Sequence, residues 1–172
     1  MLTLSLMRHA KSDWGDLDLD DYARTLSKRG IKAATVMGQA IRRERLEPDL
    51  ILCSGAIRTR ATLTLMLPEL RTPHPAVMFD DELYLALPGT MLDSAVKNAG
   101  AHRHVMLLAH NPGLHALALS LMGDGDKRAI AELAAKFPTA ALAVITFAGS
   151  AWRDVRAGSG TLTHFITPRG LE

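Results

Sequence analysis

The chain is poor in cysteine and aromatics: one Cys, two Trp, two Tyr and four Phe among 172 residues. A single cysteine excludes an internal disulfide framework and fits a reducing compartment. No apolar run approaches the ~20 residues that span a bilayer. The apolar start, Met1 to Met7, lacks a basic leader and runs straight into Arg8-His9. It therefore reads as a strand and not as a signal peptide, and the expected location is the cytoplasm. Neither charge sign is in large excess: 20 Lys+Arg face 18 Asp+Glu, a net charge of +2, which argues against a dedicated nucleic-acid binder. No repeat, low-complexity tract or linker interrupts the chain, so one domain is expected over residues 1–172. Phosphate-loop and dinucleotide-loop motifs, Gly-x4-Gly-Lys and Gly-x-Gly-x-x-Gly, are absent. What is present, 48% hydrophobic and 22% charged residues, suffices for a globular core.

The periodicity predicts strands alternating with helices. Leu2, Leu4 and Leu6 alternate with Thr3, Ser5 and Met7, the mark of a strand. Lys11 to Asp21 is too rich in Asp and Gly to be regular. Ser27 is an N-cap candidate before a helix over about Gly30 to Arg45, stopped by Pro48. Further strands are predicted at Asp49–Cys53, Ala76–Phe79 and His104–Ala109, and the last two at Ala141–Phe147 and Thr161–Thr167. Further helices are predicted at Ile57–Leu67, Pro88–Asn98, Pro112–Met122 and Lys127–Lys136, with Gly123–Asp126 as a turn and cap. This order predicts an α/β three-layer sandwich, a mostly parallel central sheet flanked by helices. The final two strands have no helix between them, so an antiparallel edge is expected.

In open α/β sheets, sites form beyond the carboxyl ends of the strands. Those ends read Arg8-His9-Ala-Lys-Ser12, Ser54-x-x-x-Arg58-Thr-Arg60, Asp80-Asp-Glu82 and His110-Asn-Pro-Gly113. Two histidines, two or more arginines and an acid converging on one edge suit a tetrahedral anion. Arginine forks hold phosphate oxygens, and histidine serves as nucleophile or proton carrier. Arg60, two residues after Arg58 on a helix, is expected to point away and pair with a surface acid. Arg24 and Arg29 either line the rim or are simply solvated. Ser12 is expected to add a donor to the phosphate.

Leu6-Met-Arg8-His9-Ala-Lys-Ser12, Ser54-x-x-x-Arg58-x-x-x-Thr62 and Leu108-Ala-His110-Asn-Pro-Gly113 resemble the signature segments of the histidine phosphatase superfamily. Arg8 to Trp14 together with Leu26-Ser-Lys-Arg-Gly30 is most similar to its small SixA-type phosphohistidine phosphatases. The resemblance implies that His9 is a nucleophile that becomes phosphorylated, with Arg8, Arg58 and His110 holding the phosphoryl oxygens. It implies no metal and no cofactor. Larger relatives place an acidic Glu after the third strand, where Glu82 stands beside Asp81 and Asp80; the alternative is that this trio solvates a loop. No His is followed by Asp, which disfavours the acid-phosphatase branch.

Two other chemistries fail on spacing. Cys53 precedes Arg58 in a Cys-x4-Arg arrangement, one residue short of the cysteine-phosphatase loop, and lies in an apolar run where a thiol is inert. His102-x-His104 and the His110, His115 pair have no Cys partner and no His-Glu-x-x-His context, which argues against zinc. The expectation is therefore a phosphatase working through phospho-His9 on a protein phosphohistidine. The alternatives are action on small phosphate esters, as phosphatase or mutase, or a non-catalytic phosphohistidine-binding or phosphocarrier module. The expected partner is a phosphohistidine-bearing protein or a small phosphorylated substrate, with no nucleic acid and no membrane.

Overall fold

The first strand, β1 (Leu2–Arg8), alternates in sequence yet is covered on both faces. That is the position of an interior strand between two helical layers. The computed structural model describes residues 1–172. After β1 come α1 (Lys28–Arg43), β2 (Leu50–Cys53), α2 (Ile57–Met66), β3 (Ala76–Phe79), α3 (Pro88–Asn98) and β4 (His104–Ala109). Then follow α4 (Gly113–Leu121), β5 (Met122–Gly125), α5 (Lys127–Ala135), β6 (Leu142–Phe147) and β7 (Gly160–Ile166).

The seven strands form one sheet in the order β3-β2-β4-β1-β6-β7-β5. Pairing is parallel from β3 to β1 and between β5 and β7. Strand β6 is antiparallel to both of its neighbours, β1 and β7. The expected antiparallel pairing of the last two strands is thus present, and β5 forms the rim beyond it. Where the sequence predicts a turn at Gly123–Asp126, Met122–Gly125 is strand. Its register with β7 is irregular, and it carries one apolar side chain, so no period of two marks it.

Successive residues of each interior strand feed opposite cores, as a strand requires. Leu50, Leu52, Val105, Leu107 and Ala109 join a 25-residue cluster with Met91 and Ala95 of α3, Leu114 and Leu117 of α4 and Leu133 of α5. Ile51, Cys53, Met106 and Leu108 join a 17-residue cluster with Ala34, Met37 and Ile41 of α1 and Leu63 and Met66 of α2. These two cores make the three layers.

Helix α1 starts at Lys28, two residues before the predicted point, because Ser27 Oγ accepts the Gly30 N–H at 3.1 Å. Gly30 also lets the helix touch the loop after β1: a Cβ there would meet the Lys11 carbonyl oxygen at 2.1 Å. Gly89, in the first turn of α3, is the opposite case, since a Cβ there would meet nothing within 4 Å. Alanine favours helix interiors over glycine by ~0.5–1 kcal/mol. Gly89→Ala is therefore expected to stabilise the fold by about that amount. Gly30→Ala is expected to destabilise it by ~1–3 kcal/mol despite the same propensity gain, because backbone must move. Urea titration of both variants checks the opposite signs.

Candidate active site

Strands β2, β4 and β1 are parallel neighbours, so their carboxyl ends deliver Ser54, His110 and Arg8-His9 side by side. Arg58 stands in the first turn of α2, directly after Ser54. His9, Arg58 and His110 are all buried, at 6%, 2% and 1% exposure. They line a cleft of about 420 Å³ together with Arg8, Ser12, Asp21, Arg24 and Asn111. The loop carrying His9 is pinned to α2, since Thr62 Oγ1 accepts the Ala10 N–H at 2.9 Å.

The tautomer of His9 follows from its partner. Nδ1 lies 2.7 Å from the Ala10 carbonyl oxygen. A carbonyl can only accept, so Nδ1 carries the proton and Nε2 carries the lone pair. Arg58 Nε–H donates toward that lone pair at 3.3 Å. Burial lowers the His9 pKa to about 3, and the Arg58, Arg8 and Arg24 charges push the same way against the Ala10 bond. His110 sits beside it, with ring centroids 5.3 Å apart. Burial, His9 and Arg58 likewise lower its pKa to about 3. Its Nε2 and Ser54 Oγ are 2.7 Å apart.

Two buried side-chain polar atoms in the chain have no hydrogen-bond partner, Arg8 Nε and His110 Nδ1. Both belong to this cleft. The Arg8 fork is anchored elsewhere, because Nη1 donates to the Phe137 carbonyl at 3.1 Å, which also accepts from Asn111 Nδ2 at 2.9 Å. Burial and the nearby Arg58 lower the pKa of Arg8. Orphaned buried polar atoms are costly; a tetrahedral anion between these side chains would satisfy Arg8 Nε–H, and His110 Nδ1 in the tautomer that carries its proton there.

Asp21 organises the cations. Its Oδ1 accepts from Arg24 Nη2 at 2.8 Å, and its Oδ2 accepts from Arg58 Nη2 at 3.0 Å and from the Tyr84 hydroxyl. Its backbone carbonyl accepts from Arg58 Nη1 at 2.6 Å. Burial alone would raise its pKa; the bonds from Tyr84, Arg24 and Arg58 outweigh that and hold the carboxyl well below its usual range. Arg24 in turn donates to Ser12 Oγ at 2.6 Å and lies 3.5 Å over the Trp14 ring. Ser12 is thereby fixed at the cleft with its own hydroxyl proton left to donate.

Of the residues singled out in the sequence, Arg8, His9, Ser12, Arg58 and His110 come together here. Glu82 does not line the cleft; it is exposed, and no side chain holds its carboxylate. Asp81 accepts from the Tyr22 hydroxyl at 2.8 Å, and Asp80 from Ser94 Oγ at 2.5 Å. Arg60 points away as expected, but packs 4.4 Å over the Phe79 ring and not against an acid. Burial pushes the Cys53 thiol up to about 12, which suits an inert core residue. Asp21, Tyr84 and Asn111 were missed by sequence reasoning. The one available signal was Asp21-x-x-Arg24, a spacing that puts carboxylate and guanidinium on one side of a helical turn.

No protein-family model matches the chain. An uncharacterised protein of Mycobacterium tuberculosis (strain H37Rv) is 36% identical over 165 residues, covering 95% of this chain and all of that one. A Mycobacterium leprae counterpart is 33% identical over 167 residues, with the same coverage. Among solved structures, a chain of Agrobacterium tumefaciens assigned as phosphohistidine phosphatase SixA superposes with a TM-score of 0.80 at 29% identity, covering 97% of this chain and 98% of that one. One from Nakamurella multipartitia with the same assignment gives 0.81 at 27% identity, covering 97% and 96%. Fold, order of the site segments and these solved structures agree: the chain belongs to the histidine phosphatase superfamily and is similar to its SixA-type members.

Proposed function

We propose that the protein is a metal-independent phosphohistidine phosphatase, a single catalytic domain over residues 1–172 that acts in the cytoplasm on a phosphohistidine-bearing protein. The observation that carries this reading is the pairing of a tautomer-locked His9 with two orphaned buried polar atoms, Arg8 Nε and His110 Nδ1, around one cleft. Nε2 of His9 attacks the phosphorus in line with the leaving nitrogen. The Nε2–P bond forms as the substrate's P–N bond breaks, and the departing imidazole leaves neutral, having taken a proton from solvent. Positive charge grows on the His9 ring, and the Ala10 carbonyl at Nδ1 stabilises it. Water then attacks the phosphorus, releasing phosphate and returning the lone pair to Nε2.

The remaining groups hold the phosphoryl oxygens. In this reading the Ser54 hydroxyl, 2.7 Å away, gives its proton to His110 Nε2. That leaves Nδ1–H of His110 as a donor. Arg8 Nε–H is a second, and Arg58 exchanges its contact with Nε2 for a phosphoryl oxygen. Charge spread over the equatorial oxygens makes such fixed donors the main source of rate. Ser12 contributes its hydroxyl proton. Asp21 is held ionised by its partners and serves to aim Arg58 and Arg24 and not to give a proton.

The protein substrate is supported by the mouth of the site. Trp14 and Leu85, which edge the cleft, are 66% and 53% exposed, and only a short turn, Asp81–Leu83, joins β3 to the segment before α3. A protruding side chain can therefore reach His9. A phosphohistidine imidazole leaves readily once protonated, whereas an ester alkoxide needs a positioned acid. Glu82 is the acid candidate for such esters, and its place outside the cleft lining favours the nitrogen leaving group.

Assayed in excess chelator, wild-type protein is expected to hydrolyse a phosphohistidine protein at its full rate. His9→Ala is expected to lose ~10⁴-fold or more in kcat, as loss of a covalent nucleophile does. Glu82→Gln is expected to stay within about twofold on phosphohistidine and on an ester alike, because the carboxylate stands outside the cleft; a loss of the ~10²–10⁴-fold scale of general acid catalysis on the ester would return Glu82 to the site. Metal-restored activity, or ester turnover exceeding that on phosphohistidine, contradicts the reading; tight binding without turnover would make the protein a binding module.

The pH dependence has a definite sign. A pKa lowered from 6.5 to about 3 means that His9 stays neutral, and nucleophilic, well below pH 6.5. After correction for ionisation of the substrate, kcat/KM, which reports the free enzyme, is expected to be flat from about pH 7 to pH 5 for such a pKa. A tenfold fall per unit starting near pH 6.5 contradicts it.

A further inference from the structure

The cleft continues into a second groove of about 340 Å³. The two share Lys11, Lys136, Pro138 and Thr139, and Arg29 and Arg169 line the groove but not the cleft. Arg29 comes from the first turn of α1, Lys136 from the end of α5, and Arg169 from the turn after β7. Segments far apart in sequence thus bring cations to one trough.

No carboxylate lines the groove. The one carboxylate in the cleft, Asp21, is already bound to Arg24 and Arg58. Lys11, Arg29, Lys136 and Arg169 take part in none of the chain's ion pairs. Glu172 lies in the adjoining hollow beyond Arg169 and is not paired with it. A groove elsewhere on the surface mixes signs, and there Arg43–Glu44 and Arg128–Glu132 pair. A chain of net charge +2 has therefore gathered unpaired cations next to the reaction centre. Such clustering is unfavourable by self-repulsion and is relieved by a polyanionic ligand.

We propose that this groove docks an acidic segment of the substrate protein, next to its phosphohistidine. The proposal rests on the phosphohistidine-protein reading above and adds what the partner must present. The groove is open, and its lysines and arginines are exposed. A single exposed ion pair is screened and worth little. An extended run of carboxylates engages several cations at once, and it steers encounter as well as register. That favours an acidic chain segment over a small ligand with one extra anionic group.

The test compares free phosphohistidine with two phosphohistidine peptides, one flanked by a run of glutamates and the other by glutamines. Wild-type protein is expected to prefer the acidic peptide by about 10-fold in kcat/KM through KM, the preference shrinking as salt shortens the ~10 Å screening length. Arg29→Glu with Arg169→Glu is expected to abolish or invert the preference and leave free phosphohistidine turnover unchanged. Neither residue lines the catalytic cleft, and a Glu in the first turn of α1 suits the helix dipole. The milder pair Arg29→Gln with Arg169→Gln is expected to lose part of the preference and guards against a folding defect. Equal kcat/KM on both peptides, or a preference that survives the reversals, overturns the proposal. A reversal-sensitive preference for a sugar bisphosphate over its monophosphate, with none between the peptides, overturns it in favour of a small ligand. Wild-type protein that fails on free phosphohistidine and both peptides overturns the function itself, a distinct outcome.

Discussion

Two imidazoles packed side by side in a buried pocket, next to two arginines, have to stay neutral. That constraint organises the site. His9 and His110 lie 5.3 Å apart, and a proton on either would face burial together with the charges of Arg8 and Arg58. Neutral imidazole has one N–H and one lone pair, so each ring needs one acceptor and one donor in fixed places. For His9 the acceptor is the carbonyl of the next residue and the donor is Arg58. The same neutrality that the fold demands is the state a nucleophile requires.

Arg58 is 2% exposed, and a buried guanidinium must be compensated. Asp21 supplies the compensation through its carboxylate and its backbone carbonyl. The acid that neutralises the pocket thus also fixes the direction of its cations. Tyr84 completes the connection: its hydroxyl bonds Asp21, and its ring packs edge-on against His110 at 5.4 Å. Helix α2 links this network to the scaffold, since Thr62 holds the Ala10 amide and bonds the Arg58 carbonyl. A displacement of α2 would therefore move His9 and Arg58 together.

Much of this was legible in the sequence because it is carried by short-range signals. Alternation located β1, short apolar runs located β2 and β4, and the rule that sites gather at carboxyl ends then selected Arg8, His9, Arg58 and His110. Ser27 announced α1, although its cap sets the helix start two residues earlier than the apolar spacing did. Strand β5 was not legible, since glycine and aspartate pairing through backbone alone leave no side-chain pattern. Asp21 was hidden for another reason. Its value lies in meeting Arg58, 37 residues away, and in an acidic loop only the spacing to Arg24 marks the one carboxylate that turns inward. Glu82 drew attention through its place after β3, yet the short turn that carries it faces outward. The basic groove has the same origin as the Asp21 pairing: Arg29, Lys136 and Arg169 are unremarkable singly and become a surface only through the fold.

The central claim is that the phosphoryl group passes through Nε2 of His9, and trapping the intermediate tests it most directly. Protein mixed with a phosphohistidine substrate, quenched in alkali during turnover and digested, is expected to yield a peptide containing His9 with the mass of one added phosphoryl group. Phosphorus NMR of the trapped protein should assign the bond to Nε2, because Nδ1 is committed to the Ala10 carbonyl. Phosphorylation at Nδ1 or on another residue, or rapid turnover with no phosphoenzyme and stereochemical inversion at phosphorus, would contradict the account.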